Sequence, residues 1–392
     1  MKIKSLLCII LALVTAVSMF ACGGGGTTGG QASEEPEESS APEESAAPAA
    51  LSINGNDVST YRIIYSAGNE AAYYSEAAYA LCNFIYETFG VEIEVFPDNE
   101  NLRQESNEIL IGFCNGRDDV EEKFDEYYFE DYDYGEFIIA VDGADVMLGA
   151  DYSNGAYFAV EKFIELALSG DGEVGNMEIT GEKEVIKVAC VGDSITQGIN
   201  SADLKKTYPV YLRGFLGPDY YVANYGLSGY SICETDAYCY GKSDVYKKSL
   251  AFEPDVVIFA LGTNDCNPGA NQGKEWEGTD REEIFIKSTK NLLDSYLALD
   301  TEPQIFVCIP CSLFKVGSDV WNAVEWAARN EKYSVPLITS IAAEYGFPTV
   351  DLWTWSLDHP EIFTDGLHPK DETYKPFAQA IYEGIKDLIV KP

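Results

Sequence analysis

The sequence is poor in positive charge and in histidine. Its 392 residues include 26 lysines and arginines against 65 aspartates and glutamates, with two histidines and a formal net charge of -39. Such a surface repels nucleic-acid phosphates and anionic membrane faces, so nucleic acid is not a predicted partner. Two histidines and one closely spaced cysteine pair, Cys308 and Cys311, do not supply the usual ligands of a zinc site. The sequence therefore predicts neither a metal nor a cofactor.

The ten cysteines indicate no particular disulfide pairing. Cys308 and Cys311 stand at the end of an apolar run, residues 304–309, that is typical of a β-strand. Two residues three apart in an extended strand lie about 10 Å apart on opposite faces. That separation is too large for a disulfide unless Pro310 begins a turn.

The beginning of the chain has the pattern of an export signal. Lys2 and Lys4 precede an apolar run, residues 6–19, that is too short to span a membrane comfortably. The sequence Met-Phe-Ala-Cys that ends at Cys22 resembles the lipobox of bacterial lipoproteins. The resemblance implies a signal over residues 1–22, a lipid anchor on Cys22 and a place on the cell surface. A plain signal peptide cleaved nearby is the alternative.

Two folded regions are predicted after a tether. Residues 23–50 are rich in glycine, threonine, glutamate, serine and proline without apolar periodicity, which predicts a disordered tether. Residues 51–181 are predicted to form a small α/β domain. Helices are expected at residues 70–90 and 154–168, and strands are expected at residues 91–96, 108–112, 136–141 and 145–149. The dipeptide Asp142-Gly143 predicts a hairpin between the last two strands.

Part of this first region resembles a known accessory domain. The run from Glu136 to Tyr157 is similar to the small α/β domain that precedes the catalytic barrel in several glycoside hydrolase families. In those families the domain does not carry the catalytic chemistry. The resemblance leaves two roles open, a structural spacer and a carbohydrate-binding module.

Residues 185–392 show regular alternation of strand and helix. Short apolar runs at residues 185–191, 220–224, 255–261, 304–309 and 348–352 predict strands, and residues 281–299, 332–345 and 374–390 predict helices. This order predicts a parallel sheet covered on both faces, a three-layer α/β/α sandwich. Functional groups are then expected on loops at the carboxyl ends of the strands.

Chemistry-bearing residues follow these predicted strands. Ser194 follows the first strand, Gly226 the second and Asn264 the third, while Asp365 and His368 precede the last helix. A serine becomes a good nucleophile when a histidine takes its proton and a carboxylate orients that histidine. The backbone N–H of Ser194, the N–H of Gly226 and the amide of Asn264 are candidate oxyanion donors.

His368 is preferred as the base over His359, the other histidine, because an aspartate stands three residues before His368.

These segments together resemble the sequence blocks of the SGNH hydrolases, also called GDSL-like lipase/acylhydrolases, over residues 185–392. The resemblance implies a flavodoxin-like parallel sheet and ester hydrolysis without a cofactor. It also implies that Ser194 is the nucleophile, that Asp365 and His368 complete the triad, and that Gly226 and Asn264 join Ser194 in the oxyanion hole. Ile195 replaces the usual leucine. No Gly-x-Ser-x-Gly elbow of the α/β-hydrolases is present.

Members of that family act on acetylated sugars, lipids and thioesters. The glycosidase-like region, the predicted tether and the aromatic content favour an acetylated carbohydrate as substrate. Trp276, Trp353 and Trp355 stand near the predicted site loops, where flat rings could stack on a sugar. A lipid or lysophospholipid esterase is one alternative, against which the negative charge argues. A surface carbohydrate-binding protein without catalysis is the other.

Overall fold

The computed structural model describes residues 50–68, 70–100, 107–118, 134–169, 172–269, 275–318 and 322–390. These residues belong to a compact unit that spans residues 47–392. The predicted export signal, Cys22 and nearly all of the predicted tether lie outside the described residues. Within the described part of the chain, no helix is both long enough and apolar enough to cross a membrane.

The first half contains a six-stranded mixed sheet and a short three-stranded sheet. The strands are β1 (Ser52–Ile53), β2 (Asn56–Asp57), β3 (Arg62–Tyr65), β4 (Val95–Pro97), β5 (Glu108–Ile111), β6 (Phe137–Asp142), β7 (Asp145–Gly149), β8 (Glu173–Val174) and β9 (Met177–Gly181). The larger sheet has the order β4-β3-β5-β7-β6-β9, and the smaller one β2-β1-β8. Strands β6 and β7 pair antiparallel, with Asp142 opposite Asp145, which confirms the predicted hairpin.

Two helices cover one face of the larger sheet, α1 (Ala71–Phe89) and α2 (Ser153–Ser169). Helix α1 buries Ala77, Leu81 and Phe84, residues that share one face because they are spaced three or four apart. It ends at Gly90, whose left-handed φ of 71° directs its N–H to the carbonyl of Tyr86. The predicted strand at residues 91–96 is shorter than expected, because only Val95–Pro97 pairs with β3.

The second half is built on five parallel strands, β10 (Ile186–Gly192), β11 (Tyr220–Gly226), β12 (Val256–Ala260), β13 (Gln304–Ile309) and β14 (Thr349–Asp351). Their order is β11-β10-β12-β13-β14, which confirms the predicted flavodoxin-like arrangement. The described helices of this half are α3 (Ser194–Gln197), α4 (Tyr208–Leu216), α5 (Asp244–Ala251), α6 (Arg281–Leu297), α7 (Ala323–Arg329), α8 (Val335–Tyr345), α9 (Leu352–Asp358) and α10 (Tyr374–Ile385).

Both faces of this sheet are buried, which is why its strands are nearly continuous apolar runs. In β10, Ala189 and Val191 join one core cluster with residues of α6 and α8, while Val188 and Cys190 join another with residues of α4 and α10. Successive side chains of a strand point to opposite faces, so the two clusters lie on opposite sides of the sheet. The three-layer α/β/α prediction is confirmed.

The two halves touch at the beginning of β11. Arg213 of α4 forms an ion pair with Glu70 at 2.8 Å, and the hydroxyl of Tyr73 donates to the carbonyl of Val210 at 2.7 Å. Helix α4 leads into β11, so these contacts lie towards the amino end of that strand. The predicted functional residue on β11, Gly226, stands at its opposite, carboxyl end.

Candidate active site

Ser194 lies on a tight passage from β10 into the one-turn helix α3. Strand β10 ends at Gly192, where an added Cβ would collide with the side chain of Thr196, so this position needs glycine. Asp193 is the N-cap of α3, and its carboxylate accepts the N–H of Ile195 at 3.1 Å. Ser194 is the first residue of the helix, so its own N–H has no acceptor inside the helix and is free for a ligand.

The structure brings Ser194, His368 and Asp365 into one hydrogen-bonded line. The Oγ of Ser194 lies 2.8 Å from Nε2 of His368, and Nδ1 of His368 lies 2.9 Å from Oδ2 of Asp365. Ser194 and His368 are both buried. This line has the geometry in which a histidine takes the serine proton while the carboxylate fixes its tautomer and orientation.

A network of donors keeps the Asp365 carboxylate ionised. Its Oδ1 accepts the backbone N–H groups of Leu367 and His368 at 2.9 and 2.7 Å. Burial raises the pKa of Asp365, but hydrogen bonds from the His368 ring and from these two N–H groups outweigh it. They hold the pKa of that carboxyl well below its usual range. Asp365 therefore stays negative throughout the neutral pH range.

The two other predicted oxyanion donors lie at neighbouring strand ends, but both already have a partner. The amide Nδ2 of Asn264 donates to the carbonyl of Tyr230 at 3.0 Å, which leaves the second hydrogen on the same nitrogen. The N–H of Gly226 donates to Oδ1 of Asn224 at 2.9 Å. Asn224 is exposed, and the role of the Gly226 N–H as an oxyanion donor stays a prediction.

Asp193 links the nucleophile turn to the turn that carries Asn264. Its buried carboxyl accepts a hydrogen bond from Thr263, the residue before Asn264, as well as from Ile195. Burial raises the pKa of Asp193 to about 6, although these hydrogen bonds and the nearby His368 oppose the shift. One side chain thus connects the loops after β10 and β12.

A second buried carboxylate network lies behind Asn264. Cys233, Asp236 and Asp265 place donor atoms within 4.8 Å of one another, a group that could hold a metal ion. Arg281, however, forms a two-pronged ion pair with Asp236 at 2.9 Å and donates to the carbonyl of Asp265 at 2.7 Å. The Asp265 carboxylate accepts the N–H groups of Ile232 and Cys233. The guanidinium supplies the positive charge that a cation would bring, so this network fits a structural role better than a metal site.

The structure buries Trp276, which disfavours its predicted contact with a sugar. Trp276 is 5% exposed and belongs to the core cluster under the sheet. Its ring stacks on Tyr333 at 4.7 Å and tilts against Phe285 at 5.5 Å, so neither face is open to a ligand. An aromatic residue in a loop turns inward when its apolar area finds a partner there.

Trp353 and Trp355 are half-buried, and their predicted contact with substrate stays a prediction. Trp355 packs against His359 at 4.7 Å and against Phe377 at 5.8 Å. The ring of His359 lies beside Glu361, at 3.4 Å, and not beside Ser194. Of the two histidines, the structure therefore brings His368 to the serine.

Two contacts of the site were not predicted from the sequence. One is the bond between Asn224 and the N–H of Gly226 described above. The other joins Nδ2 of Asn200 to Oδ2 of Asp365 at 2.8 Å. Asn224 is two residues before Gly226, a spacing at which asparagine commonly caps a turn, so this signal was present in the sequence.

Comparison with known proteins agrees with this geometry. Residues 190–375 match the model of the GDSL-like Lipase/Acylhydrolase family. The chain is 32% identical over 217 residues to a protein of Xylanibacter ruminicola named acetylxylan esterase, a match covering 52% of this chain and 44% of that protein. The chain thus spans less than half the length of this curated relative.

Solved structures that are similar to part of the chain include a carbohydrate acetylesterase family member from Sinorhizobium meliloti and a lipase/acylhydrolase from Enterococcus faecalis. The first is 20% identical, with 52% of this chain and 98% of that chain covered and a TM-score of 0.40. The second is 20% identical, with 52% and 96% covered and a TM-score of 0.40. The family match, together with the line of Ser194, His368 and Asp365 at the strand ends, identifies residues 190–375 as a GDSL-like lipase/acylhydrolase (SGNH) domain.

Proposed function

We propose that this protein is a serine esterase that removes acetyl groups from a carbohydrate. The observation that carries the proposal is the hydrogen-bonded line from Ser194 through His368 to Asp365, with distances of 2.8 and 2.9 Å. These are the separations that proton transfer in nucleophilic catalysis requires. No cofactor is needed for this chemistry.

The reaction follows from the positions of the proposed triad. His368 takes the hydroxyl proton of Ser194 as the serine oxygen attacks the ester carbonyl carbon. The N–H groups of Ser194 and Gly226 and the amide of Asn264 bind the resulting oxyanion. Its collapse breaks the ester C–O bond, and the sugar hydroxyl leaves with the proton from His368.

A water molecule completes the cycle. His368 takes a proton from the water, whose oxygen attacks the acetyl-serine carbonyl. The second tetrahedral intermediate releases acetate and returns the proton to the oxygen of Ser194. Asp365 stabilises the imidazolium in both halves of the cycle and does not itself take up the proton.

The acetylated carbohydrate is supported by a relative and by surface chemistry. The protein from Xylanibacter ruminicola that shares 32% identity with this chain is named acetylxylan esterase. The net charge of -39 disfavours work at an anionic lipid surface, whereas an uncharged acetylated glycan meets no such repulsion. The sugar substrate is therefore favoured over a lipid or lysophospholipid ester.

Tyr238 is the best candidate for contact with the sugar. In the part of residues 185–392 that the structure describes, it is the most exposed large aromatic side chain, at 47%. Its ring lies 5.6 Å from that of Tyr230, whose carbonyl accepts the amide of Asn264. The N–H of Ser231 donates to the carbonyl of Tyr238 at 2.8 Å, which fixes this loop beside the oxyanion donor. Aromatic rings commonly stack on the apolar faces of sugars.

The test measures acetate released from acetylated xylan, acetylated oligosaccharides and p-nitrophenyl acetate, butyrate and laurate. The proposal expects acetate release from a polysaccharide and a strong preference for acetate over laurate. The control is Ser194→Ala, which should lose several orders of magnitude in kcat and should no longer react with a serine-directed fluorophosphonate. A preference for laurate would favour the lipid esterase, and glycan binding without any ester hydrolysis would favour a non-catalytic binding protein.

We also propose that the protein is exported and anchored at the cell surface through a lipid on Cys22. The support is the basic start, the short apolar run and the lipobox-like sequence before Cys22. Metabolic labelling with a fatty-acid analogue should mark the wild-type protein and not a Cys22→Ala variant. Equal absence of label in both proteins, with normal secretion, would favour a plain signal peptide.

A further inference from the structure

The loop after the nucleophile helix is joined to the loop that carries the base. We call this pair of segments, residues 198–203 and 365–374, the loop clasp. Three hydrogen bonds of 2.8 Å connect them: Asn200 Nδ2 to Asp365 Oδ2, the N–H of Ala202 to the Asp371 carboxylate, and the Tyr374 hydroxyl to the Ile199 carbonyl. The clasp therefore ties the segment that presents Ser194 to the segment that presents His368.

Asn200 is the member of the clasp that touches the predicted triad. Its backbone has a φ of 70°, in the left-handed region that side chains other than glycine seldom adopt. Asparagine tolerates this region better than most residues. The unusual backbone and the bond to Asp365 occur at the same residue, which indicates that the conformation serves to aim the carboxamide at the carboxylate.

We propose that Asn200 is a positioning residue of the triad. Its side chain holds the Asp365 carboxylate in the orientation that faces His368. The proposal rests on the proposed serine esterase function. Asn200 acts through Asp365 and makes no contact with the reacting atoms.

The bonds to the carboxylate show how Asn200 acts. Oδ1 of Asp365 accepts two backbone N–H groups, and Oδ2 accepts His368 Nδ1 and Asn200 Nδ2. A carboxylate has about four acceptor positions, so these four donors fill them. The two backbone donors lie on the Asp365 turn itself, whereas Asn200 comes from a separate segment, 165 residues away in sequence. Without Asn200, the outer lone pair of Oδ2 is left to water.

Asn200 also affects the electrostatics of the base. A neutral donor on Oδ2 draws off part of the negative charge that otherwise stabilises the His368 imidazolium. In the described part of the chain, titratable groups that act on His368 or on Asp365 include the buried carboxyl of Asp193 and the phenol of Tyr374. Loss of the Asn200 donor should therefore keep His368 protonated to a higher pH, and a carboxylate in its place should do so more strongly.

The experiment compares Asn200→Gly, Asn200→Asp and the control Glu372→Ala with wild type in the full chain. Glycine keeps the left-handed backbone without strain and removes only the side chain. Glu372 lies in the same clasp and pairs with Lys206, but its side chain is 71% exposed and touches no triad residue. The readouts are kcat and KM on p-nitrophenyl acetate from pH 5 to 9 and the rate of fluorophosphonate labelling.

For Asn200→Gly we expect kcat to fall about 10-fold with KM within 2-fold, since a misdirected base affects the transition state more than binding. The midpoint of the acid limb should rise by about 0.5 pH unit in this variant and by about 1 unit in Asn200→Asp. Glu372→Ala should stay within 2-fold of wild type at every pH. Because the chain has two histidines, NMR of their ring Cε1–H signals gives the His368 titration directly, with His359→Gln for assignment.

The outcomes separate this inference from the proposed function. If wild type neither hydrolyses esters nor reacts at Ser194, the proposed function itself fails. If wild type is active while Asn200→Gly keeps its kcat and its titration midpoint, Asn200 does not position the triad. If Asn200→Gly and Glu372→Ala lose the same activity without a shift of the acid limb, the clasp has a purely structural role and the inference is overturned.

Discussion

Gly226→Ala tests how closely β11, the strand that ends at the predicted oxyanion donor Gly226, must approach helix α3, which begins at Ser194. An added Cβ at this position would lie 2.1 Å from the backbone nitrogen of Gln197 and 2.5 Å from the carbonyl carbon of Thr196. Real Cβ contacts are essentially never shorter than 3.0 Å. Because the neighbours are backbone atoms of helix α3, no side-chain rotation can relieve the collision.

The required displacement sets the size of the effect. The gap has to widen from 2.1 Å to at least 3.0 Å, so α3 and the end of β11 must separate by roughly 1 Å. Ser194 begins α3, and a misplacement of this size at a reacting group costs about 10²-fold in rate. We therefore expect kcat on p-nitrophenyl acetate, and the rate of fluorophosphonate labelling, to fall about 100-fold. Gly226 does not have a positive φ, so the loss is steric and not a matter of backbone strain.

Gly214→Ala is the matched control. Gly214 lies inside helix α4, and an added Cβ there meets nothing within 4 Å. This substitution should leave kcat unchanged and stabilise the fold by up to about 1 kcal/mol, as alanine in place of glycine does in a helix. Thermal unfolding of both variants distinguishes a local shift from a collapse of the fold. If Gly226→Ala kept wild-type kcat with an unchanged unfolding midpoint, the close approach would be unimportant and the reasoning refuted.

Four further predictions concern single side chains. Asn264→Ala should lower kcat on the order of 10²–10³-fold at nearly constant KM, because an oxyanion bond strengthens in the transition state; an effect on KM alone would indicate substrate binding instead. His368→Ala should abolish activity while His359→Ala stays within a few-fold in the same kinetic assay, since the ring of His359 lies beside Glu361. Tyr238→Ala should raise KM for acetylated xylan and not for p-nitrophenyl acetate, if its exposed ring meets the sugar. Burial raises the pKa of Asp193 to about 6, above its unfolded value of about 3.9, so its contribution to stability is lost as pH rises from 4 to 6. Asp193→Asn should remove that pH dependence, roughly 2 kcal/mol between pH 4.5 and pH 7, in denaturation measured at those two pH values.

The architecture of the second half could be predicted because its signals are local. Each strand of the parallel sheet is a short apolar run, and each helix has apolar residues at helical spacing, so order and type follow from the sequence. The triad residues could be found because each stands next to a strand or helix boundary that the pattern already indicates. Parallel strands present their carboxyl ends at one edge, which makes residues that are distant in sequence converge.

Contacts between two loops could not be predicted in the same way. Asn200 and Asp365 are 165 residues apart, and neither stands in a strand whose pairing would place them together. The contact occurs at the left-handed backbone of Asn200, a conformation that asparagine tolerates but that its residue type alone does not predict. Trp276 is a second residue whose surroundings could not be predicted from the local sequence. Its place in a loop after Asn264 suggested exposure, whereas the partner that buries it, Tyr333, belongs to a helix much later in the chain.

Two carboxyl groups near His368 have pKa values shifted in opposite directions, and this affects how the pH profile of the enzyme is interpreted. Asp365 has hydrogen-bond donors that outweigh its burial, so its pKa is lowered and it stays ionised throughout the neutral range. Asp193 is fully buried with fewer donors, its pKa is raised to about 6, and it interacts with His368 through space. Asp193 therefore changes its charge near pH 6, inside the pH 5 to 9 range of the kinetic assay. An acid limb measured on the wild-type enzyme then belongs to the pair and not to His368 alone. The shift of the acid limb expected on loss of Asn200 should also be measured in an Asp193→Asn background. In that background Asp193 can no longer take up a proton and contribute to the limb.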